Sequence, residues 1–424
     1  MLSPAGPAVR LTLSRAQAPG RRVALTSFVS RRPNGAGYIH TGATAPGRRM
    51  STVVEDRIIE NTHVPPPPPR PHSSTTVSVE AERPTSDILK RAVKATGVRN
   101  DWTKQEIAAI YNHPLMDLAF QAGTVHRRFH NPAEVQLCTL MNIKTGGCSE
   151  DCSYCAQSTR YQTGVKAQRV EPVEAVLEAA RTAKANGSTR FCMGAAWRDM
   201  RGRKNSLKNI KAMVEGVRAL DMEVCVTLGM IDDQQAKELK EAGLTAYNHN
   251  VDTSREFYPS VITTRTYDER LKTLGHVRDA GINVCSGGIL GLGEKAEDHI
   301  GLIHTVSTLP SHPESFPVNA LVPIKGTPLG DKIPIEFTAI LRTIATARIV
   351  MPSTIIRIAA GRKTMSEEKQ ALCFMAGANA IFTGEKMLTT ECNGWDEDGE
   401  MFKRWGLVPM KSFEKSPKPE PELQ

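Results

Sequence analysis

Between Val135 and Ala378, short apolar runs rich in β-branched residues alternate with stretches whose apolar residues recur at helical spacing. This alternation constrains the fold more than any other feature. A strand followed by an amphipathic helix and a second strand returns the chain parallel to itself and builds a parallel sheet covered by helices. Strand candidates begin around Val135, Phe191, Glu223, Leu244, Ile282, Val318, Thr354 and Ala378. The helices between them include Glu171 to Asn186, with Pro172 at the first helical position, Leu207 to Leu220, Tyr267 to Ala280 and Phe337 to Ile349. Eight strands suggest a closed α/β barrel of the (β/α)8 TIM type, and roughly 300 residues for eight units is slightly more than such a barrel usually needs. An open doubly wound sheet with one strand more or fewer is the structural alternative.

Two helices are expected ahead of the first strand, a helical extension reading Asp87-Ile88-Leu89-Lys90-Arg91-Ala92 and then Thr103 through Tyr111, so the folded body should begin near Thr85. What precedes them is different in kind. Residues 1–54 hold eight arginines, no lysine and no acid, and removing those eight from the net charge of +9 leaves +1 for the remainder. An acid-free start such as Leu11-Thr12-Leu13-Ser14-Arg15 has the composition of a mitochondrial presequence, since a positive amphipathic segment is drawn across an inside-negative membrane. A basic unstructured tail is the plainer reading. Pro65 to Pro69 and the Ser/Thr-rich run to about Ser86 are extended and unable to pack. The expected plan is a presequence over 1–54, a disordered linker over 55–86, a catalytic barrel over 87–410 and a disordered tail over 411–424, in a protein of the mitochondrial matrix. A nearly neutral body with 5% aromatic residues offers neither a basic face nor stacking platforms, which argues against nucleic acid. No apolar run reaches the roughly 18 residues of a membrane span, which argues against a membrane protein.

Cys148, Cys152 and Cys155 fall within nine residues, Gly147-Cys148-Ser149-Glu150-Asp151-Cys152-Ser153-Tyr154-Cys155. In a reducing compartment a tight group of thiols points to metal or redox chemistry, not to disulfides. Three thiolates on one loop can hold three irons of a 4Fe-4S cluster, whereas an electron-transfer cluster takes four cysteines. The fourth iron is then open to a ligand that brings an amine and a carboxylate. A structural zinc site would need two spaced ligand pairs, and no nearby C-x-x-C or histidine pair completes one.

Cys192, Cys225 and Cys285 each sit in a strand candidate. Singly, each reads as a small core residue. Together they can point inward from separate strands and meet on the barrel axis, where a second cluster would replace the usual packed side chains. Arg357 lies among apolar residues of the seventh strand candidate, as a buried ion pair or as a cluster ligand. Cys138, Cys373 and Cys392 read as buried core cysteines with no assigned role.

The C-x3-C-x-aromatic-C loop resembles the signature of the radical S-adenosylmethionine superfamily, in which the aromatic residue, here Tyr154, lies near the adenine. Beyond it, Cys192, Cys225, Cys285 and Arg357 match in order and context the residues that hold a 2Fe-2S cluster in the biotin synthase family. The resemblance runs from about Phe129 to about Trp405. It includes Lys144-Thr145-Gly146-Gly147, Cys192-Met193-Gly194-Ala195-Ala196-Trp197, Tyr247 to Thr253, Lys325 to Leu329 and Phe374 to Ala380. It implies that Gly194, Ala195 and Ala196 contact the methionine part of S-adenosylmethionine and that Asn250 and Asp252 serve the nucleoside, Asn250 also the substrate. Placed two apart, Asn250 and Asp252 would emerge on one side at the barrel mouth. Asn319 resembles the residue that binds a ureido ring, Thr389 and Thr390 the pair that receives a carboxylate tail, and His249 is expected to orient its loop. The implied reaction cleaves S-adenosylmethionine to methionine and a 5′-deoxyadenosyl radical, removes hydrogen from dethiobiotin, and inserts a sulfide of the 2Fe-2S cluster to give biotin. A ferredoxin-type electron donor, iron-sulfur assembly machinery and a homodimer follow by the same resemblance. Lipoyl synthase, the nearest alternative, carries another three-cysteine loop toward its N-terminus; here no cysteine precedes Cys138. A non-catalytic iron-sulfur carrier is the alternative from another class.

Overall fold

The computed structural model describes residues 84–412. The expected presequence over 1–54, the linker up to residue 83 and the tail from residue 413 lie outside the described residues. Helix α1 (Pro84–Lys94) starts three residues ahead of the expected boundary at 87. At the other end Met410 and Ser412 are buried, so the packed body passes the expected limit at 410.

Helices α1, α2 (Lys104–Tyr111) and α3 (Leu115–Phe129) precede the first strand. The repeating part then runs β1 (Glu134–Lys144), α4 (Val173–Ala185), β2 (Arg190–Ala195), α5 (Lys204–Ala219), β3 (Glu223–Thr227), α6 (Asp233–Glu241), β4 (Ala246–Asn248), α7 (Tyr267–Asp279), β5 (Asn283–Cys285) and β6 (Gly288–Leu290). It continues with α8 (Ala296–Ser307), β7 (Ser315–Ala320), α9 (Phe337–Val350), β8 (Ile355–Ile358), α10 (Glu367–Met375), β9 (Ala380–Phe382), α11 (Trp395–Trp405) and β10 (Val408–Pro409). The barrel strands pair in parallel in the order β1-β2-β3-β4-β5-β7-β8-β9, and β9 pairs back to β1 through Gln136 with Ala380 and Cys138 with Phe382, which closes the barrel. Strands β5 and β6 are two halves of the fifth position, both paired to β7. The break falls at Ser286-Gly287, where a Cβ on Gly287 would lie 2.1 Å from the Pro317 carbonyl oxygen. The closed barrel, not the open sheet, is the fold.

The helices form because their apolar residues recur on one side. Helix α4 buries Val176, Ala180 and Ala183, and α5 buries Leu207, Ile210, Met213, Val214 and Val217. Capping boxes at Thr103/Glu106, Asp232/Gln235 and Thr266/Glu269 start α2, α6 and α7 by satisfying free backbone N–H groups. Pro172 caps α4 from outside with an extended ψ of 145°, one position before the helix where it was expected. Helix α9 is buried on nearly every side, because α3 packs along its outer face. Trp102 ties the extension to it by donating from Nε1 to the Val350 carbonyl at 3.2 Å. No helix among the described residues is long and apolar enough to cross a membrane.

Arg348, on α9, is fully buried and has carbonyls around it instead of an acid. It donates to Gly377 at 3.0 and 2.7 Å, Pro352 at 2.7 Å and Thr354 at 2.8 Å. Burial pulls its pKa down to about 9. Gly377 has φ +104°, and a Cβ there would meet Arg348 Cγ at 2.6 Å, so the turn into β9 is built around this side chain. Arg348→Met should strand those carbonyls at a cost of about 3 kcal/mol. The thermal unfolding midpoint should fall by roughly 5–10 °C.

Candidate active site: two sets of cysteines in one cavity

The first cysteine set sits on the loop after β1. Gly146 and Gly147 take φ +64° and +71°, and a Cβ on Gly146 would meet the Lys166 carbonyl oxygen at 2.9 Å, so this turn needs glycine. Cys148 N donates to the Gln157 carbonyl at 3.0 Å and Thr159 N to the Cys148 carbonyl at 2.8 Å, which closes the loop on itself. Asp151 fastens it to the chain beyond β4, where its Oδ1 accepts from the backbone N–H of Thr263 at 3.0 Å and of Thr264 at 3.2 Å. Burial alone would raise the Asp151 carboxyl, and these hydrogen bonds outweigh it, bringing the pKa down to about 2. Burial pushes the Cys152 thiol up to about 12 and the Cys155 thiol up to about 11. Tyr154 donates its hydroxyl to Asp252 Oδ2 at 2.9 Å, and the same oxygen pairs with the Arg270 guanidinium. Asp252 itself has φ +69°, a conformation an aspartate tolerates better than most residues.

The second set occupies the barrel axis. Cys192 and Cys225 are direct Cα partners across β2 and β3, and Asn248 and Cys285 across β4 and β5. Cys192, Cys225 and Cys285 form, with Cys138 and Ala246, an apolar group separate from the main core. Asn248 donates from Nδ2 to Cys285 Sγ at 3.3 Å. The Cys285 thiol is pulled down to about 6, chiefly by a hydrogen bond from Cys225 and further by the charges of Arg190 and Arg357, against its burial. Next to the thiols lie Arg190, 3.6 Å from Glu223 Oε2, and Gln136, which donates to the same oxygen at 3.2 Å. Among the described residues Arg357 has no acid as partner. It donates to Gln136 Oε1 at 2.6 Å, the Ile381 carbonyl at 3.1 Å and Cys138 Sγ at 2.7 Å, and stacks on Phe382 at 5.0 Å. The buried ion pair that was the plainer reading of Arg357 is therefore absent from the described residues.

One cavity of about 320 Å³ joins the two sets: Cys148, Cys152 and Cys155 line it along with Cys192, Cys225, Cys285 and Arg357. Tyr154, Ala195, Ala196, Asn250, Asp252, Asn319, Thr389 and Thr390 line it as well, so every residue given a ligand, cofactor or substrate role from the sequence is there except Gly194. Gly194 sits beneath Leu388, which a Cβ would approach to 2.6 Å. Thr389 is exposed and Thr390 half-buried, which puts both at the open end. Asn319 spends its amide inside the protein, donating to the Gly288 carbonyl at 2.9 Å and accepting from Ala360 N at 3.2 Å. Asn250 accepts from Gly287 N at 3.2 Å. His249 is buried, with its ring Nε2 unpartnered, so it does not orient the loop through a side-chain hydrogen bond at that atom. Arg190, Gln136, Glu223, Arg265 and Arg270, which also stand at the site, were given no site role from the sequence. The period of two along a strand places Arg190 with Cys192, Glu223 with Cys225 and Gln136 with Cys138, and that signal was present.

Two family models cover most of this barrel. Residues 142–306 match the radical SAM superfamily and residues 317–408 the Biotin and Thiamin Synthesis associated domain. The chain is 74% identical over 327 residues to the mitochondrial biotin synthase of Emericella nidulans, covering 77% of this chain and 83% of that one. The chain belongs to the biotin synthase family. Against the mitochondrial biotin synthase of Saccharomyces cerevisiae, identity is 58% over 346 residues, covering 80% of this chain and 92% of the relative. Biotin synthases are radical S-adenosylmethionine sulfurtransferases, and this member is an enzyme of that class, whose superfamily implies a 4Fe-4S cluster and S-adenosylmethionine. The fold is also that of methylornithine synthase, with a TM-score of 0.64 at 17% identity over 76% of this chain and 97% of that one.

The donor sets fit clusters in kind. No three His, Cys, Asp or Glu side chains among the described residues converge as on a single metal ion. An iron-sulfur cluster does not require that, because its ligands are shared among several irons. Among the described residues the axis holds the two guanidiniums of Arg190 and Arg357 and the one carboxylate of Glu223, and thiolates ligating a cluster there would supply further negative charge.

Asp151→Ala should free the first loop, and the 4Fe-4S cluster of the variant should lose iron to a chelator several-fold faster than wild type. Because the folded pKa is depressed, this anchoring is present above the ordinary carboxylate range and lost as pH falls through about 2. In the apoprotein, hydrogen-exchange protection of the Thr263 and Thr264 amides should follow that course, and should already be missing at neutral pH in the variant.

Proposed function

We propose that this chain converts dethiobiotin to biotin, the last step of biotin synthesis. Cys148, Cys152 and Cys155 hold a 4Fe-4S cluster, and Cys192, Cys225 and Cys285 hold a 2Fe-2S cluster with Arg357 at its fourth position. The observation that carries the reading is the single cavity lined by both cysteine sets. When bound, the clusters supply the electron that cleaves S-adenosylmethionine and the sulfur that enters the product. The protein's own part is to bind, orient and keep water out. Tyr154 lies beside the adenine, its hydroxyl fixed by Asp252. Gly194, Ala195 and Ala196 offer backbone groups to the methionine part, and Asp252 and Asn250 face the ribose. Dethiobiotin lies between the clusters, its ureido ring toward Asn250 and Asn319 and its carboxylate toward Thr389 and Thr390 at the open end, where an anion stays hydrated. That direction of entry puts the apolar carbons deep, against Phe382 and the axial thiols.

The same reading makes 1–54 a mitochondrial presequence and 55–83 a linker, places the enzyme in the matrix as a homodimer, and requires a ferredoxin-type electron donor and iron-sulfur assembly proteins. Its support is the mitochondrial type of several relatives and the acid-free leader.

Reconstituted protein, incubated without oxygen with a reductant, S-adenosylmethionine and dethiobiotin, should form 5′-deoxyadenosine and biotin together, followed by mass spectrometry. Cys285→Ala should lose biotin while still cleaving S-adenosylmethionine. Deoxyadenosine without biotin from the wild-type protein would make the substrate wrong. Neither product, from protein holding an intact 4Fe-4S cluster, would point to a carrier. Tyr154→Phe, which removes one hydrogen bond to Asp252, should raise KM for S-adenosylmethionine roughly fivefold, the equivalent of about 1 kcal/mol, with a smaller change in kcat.

A further inference from the structure

The first cysteine loop reaches the surface at two points, Gly147 and Ser149, which are exposed on either side of buried Cys148. Each point has a basic neighbour on residues 160–169, the segment that wraps the outside of the loop. Arg160 Nε donates to the Ser149 carbonyl at 3.4 Å, Tyr161 donates its hydroxyl to the Asp151 carbonyl, and Gln168 N donates to the Thr145 carbonyl at 2.9 Å. Gly147 lies against Ala167, where a Cβ on the glycine would come within 3.0 Å of the alanine Cβ, and Lys166 precedes that alanine. A second segment, residues 325–332, closes the same side. Leu329 N donates to the Ser153 carbonyl at 3.2 Å, and Gly326 passes so near Gln162 that a Cβ would lie 2.0 Å from its carbonyl oxygen.

The two segments carry Arg160, Lys166, Arg169, Lys325 and Lys332, all exposed, against one acid, Asp331. Among the described residues none of the five cations is in an ion pair, whereas Arg181, Lys237, Arg255, Lys363 and Arg404 elsewhere on the surface are each paired with an acid. The loop's own acids do not offset them, because Glu150 is buried and Asp151 is engaged by Thr263 and Thr264. Unpaired positive charge gathered around one spot draws an acidic partner there and orients it.

We propose that this basic collar is the docking surface for a small acidic iron-sulfur protein, which passes its electron to the first cluster across Gly147 and Ser149. The inference rests on the reading that Cys148, Cys152 and Cys155 hold a 4Fe-4S cluster. One electron leaves the partner's cluster and enters the 4Fe-4S cluster, so the partner is oxidised as the 4Fe-4S cluster is reduced, and no bond forms or breaks. Electron-transfer encounters of this kind bury little area, which leaves charge to select and steer the partner.

The test uses the full chain with its 4Fe-4S cluster and, as probe, a purified acidic 2Fe-2S ferredoxin kept reduced by its reductase. Followed by anaerobic stopped flow, reduction of the 4Fe-4S cluster should slow several-fold as ionic strength rises from about 0.1 M to about 1 M and the Debye length falls from about 10 Å to about 3 Å. The triple variant Lys166→Glu, Arg169→Glu, Lys325→Glu should be reduced by the ferredoxin about tenfold more slowly at low salt and lose most of the salt dependence. Reduction by photoreduced deazariboflavin, an uncharged donor, should keep its wild-type rate. Without any electron transfer, carbodiimide coupling of lysine amines to the ferredoxin's carboxylates, mapped by mass spectrometry, should join the two proteins at Lys166, Lys325 or Lys332. The proposal is overturned by wild-type reduction indifferent to salt, by cross-links confined to other lysines, or by a triple variant that is as fast as wild type or equally slowed with both donors. The first two are read on the wild-type chain and stand even if the variant loses its cluster. Wild-type protein that takes up no 4Fe-4S cluster defeats the underlying reading instead, before any donor is added.

Discussion

The interior of this barrel carries charge where a barrel of its size ordinarily packs aliphatic side chains. Arg190 and Arg357 are both buried on the axis and Glu223 is the carboxylate paired there. Leaving a guanidinium without a counter-charge in such a place is costly. Gln136 reduces that cost by joining Glu223 to Arg357, yet one positive charge is still uncompensated by carboxylate. The neighbouring thiols are the groups that can become negative, as a thiol does whenever it ligates a metal. Much of the site follows from that balance: sulfurs on β1, β2, β3 and β5, Phe382 stacked on Arg357, and the first cysteine loop lining the same cavity.

The fold was largely legible because its signal is periodic. Each expected strand corresponds to an observed one within a few residues, and the difference at the fourth, Leu244 against Ala246, is a matter of where pairing begins. Less visible was helix α3, which follows Pro114 at its cap and buries Gly123 and His126 along with Leu118, Ala122 and Val125. A glycine and a histidine on the buried face break the apolar pattern that marks a helix, and its partner α9 is far away in the sequence. The split of the fifth strand was hidden as well, since Cys285-Ser286-Gly287-Gly288 reads as a strand end and the resumption depends on contact with β7.

The cysteines and Arg357 were found because spacing and resemblance both mark them. Arg190, Glu223 and Gln136 beside them were not, although each stands two positions before a cysteine on the same strand, and for Gln136 that cysteine, Cys138, was read as core. Reading inward-facing residues as a column down each strand, and not one cysteine at a time, recovers Arg190, Glu223 and the pair of Gln136 and Cys138. Asn319 shows the opposite limit. Its place on the cavity wall was foreseeable, whereas the engagement of both ends of its amide by Gly288 and Ala360 is tertiary information.

The break between β5 and β6 is filled by the chain that follows β4. Asp252 N donates to the Gly287 carbonyl at 3.2 Å and Ile289 N to the Asp252 carbonyl at 2.7 Å, so a residue of the mouth loop takes a rung of the sheet. Mouth loops of barrels generally drift in length while the strands stay fixed, and that separation lets one scaffold diversify. Here an insertion or deletion between Asn248 and Asp252 would shift the sheet's own register as well as Tyr154's hydrogen-bond partner. Evolutionary change in length is therefore barred from this corner and has to be accommodated in loops that the barrel wall does not use.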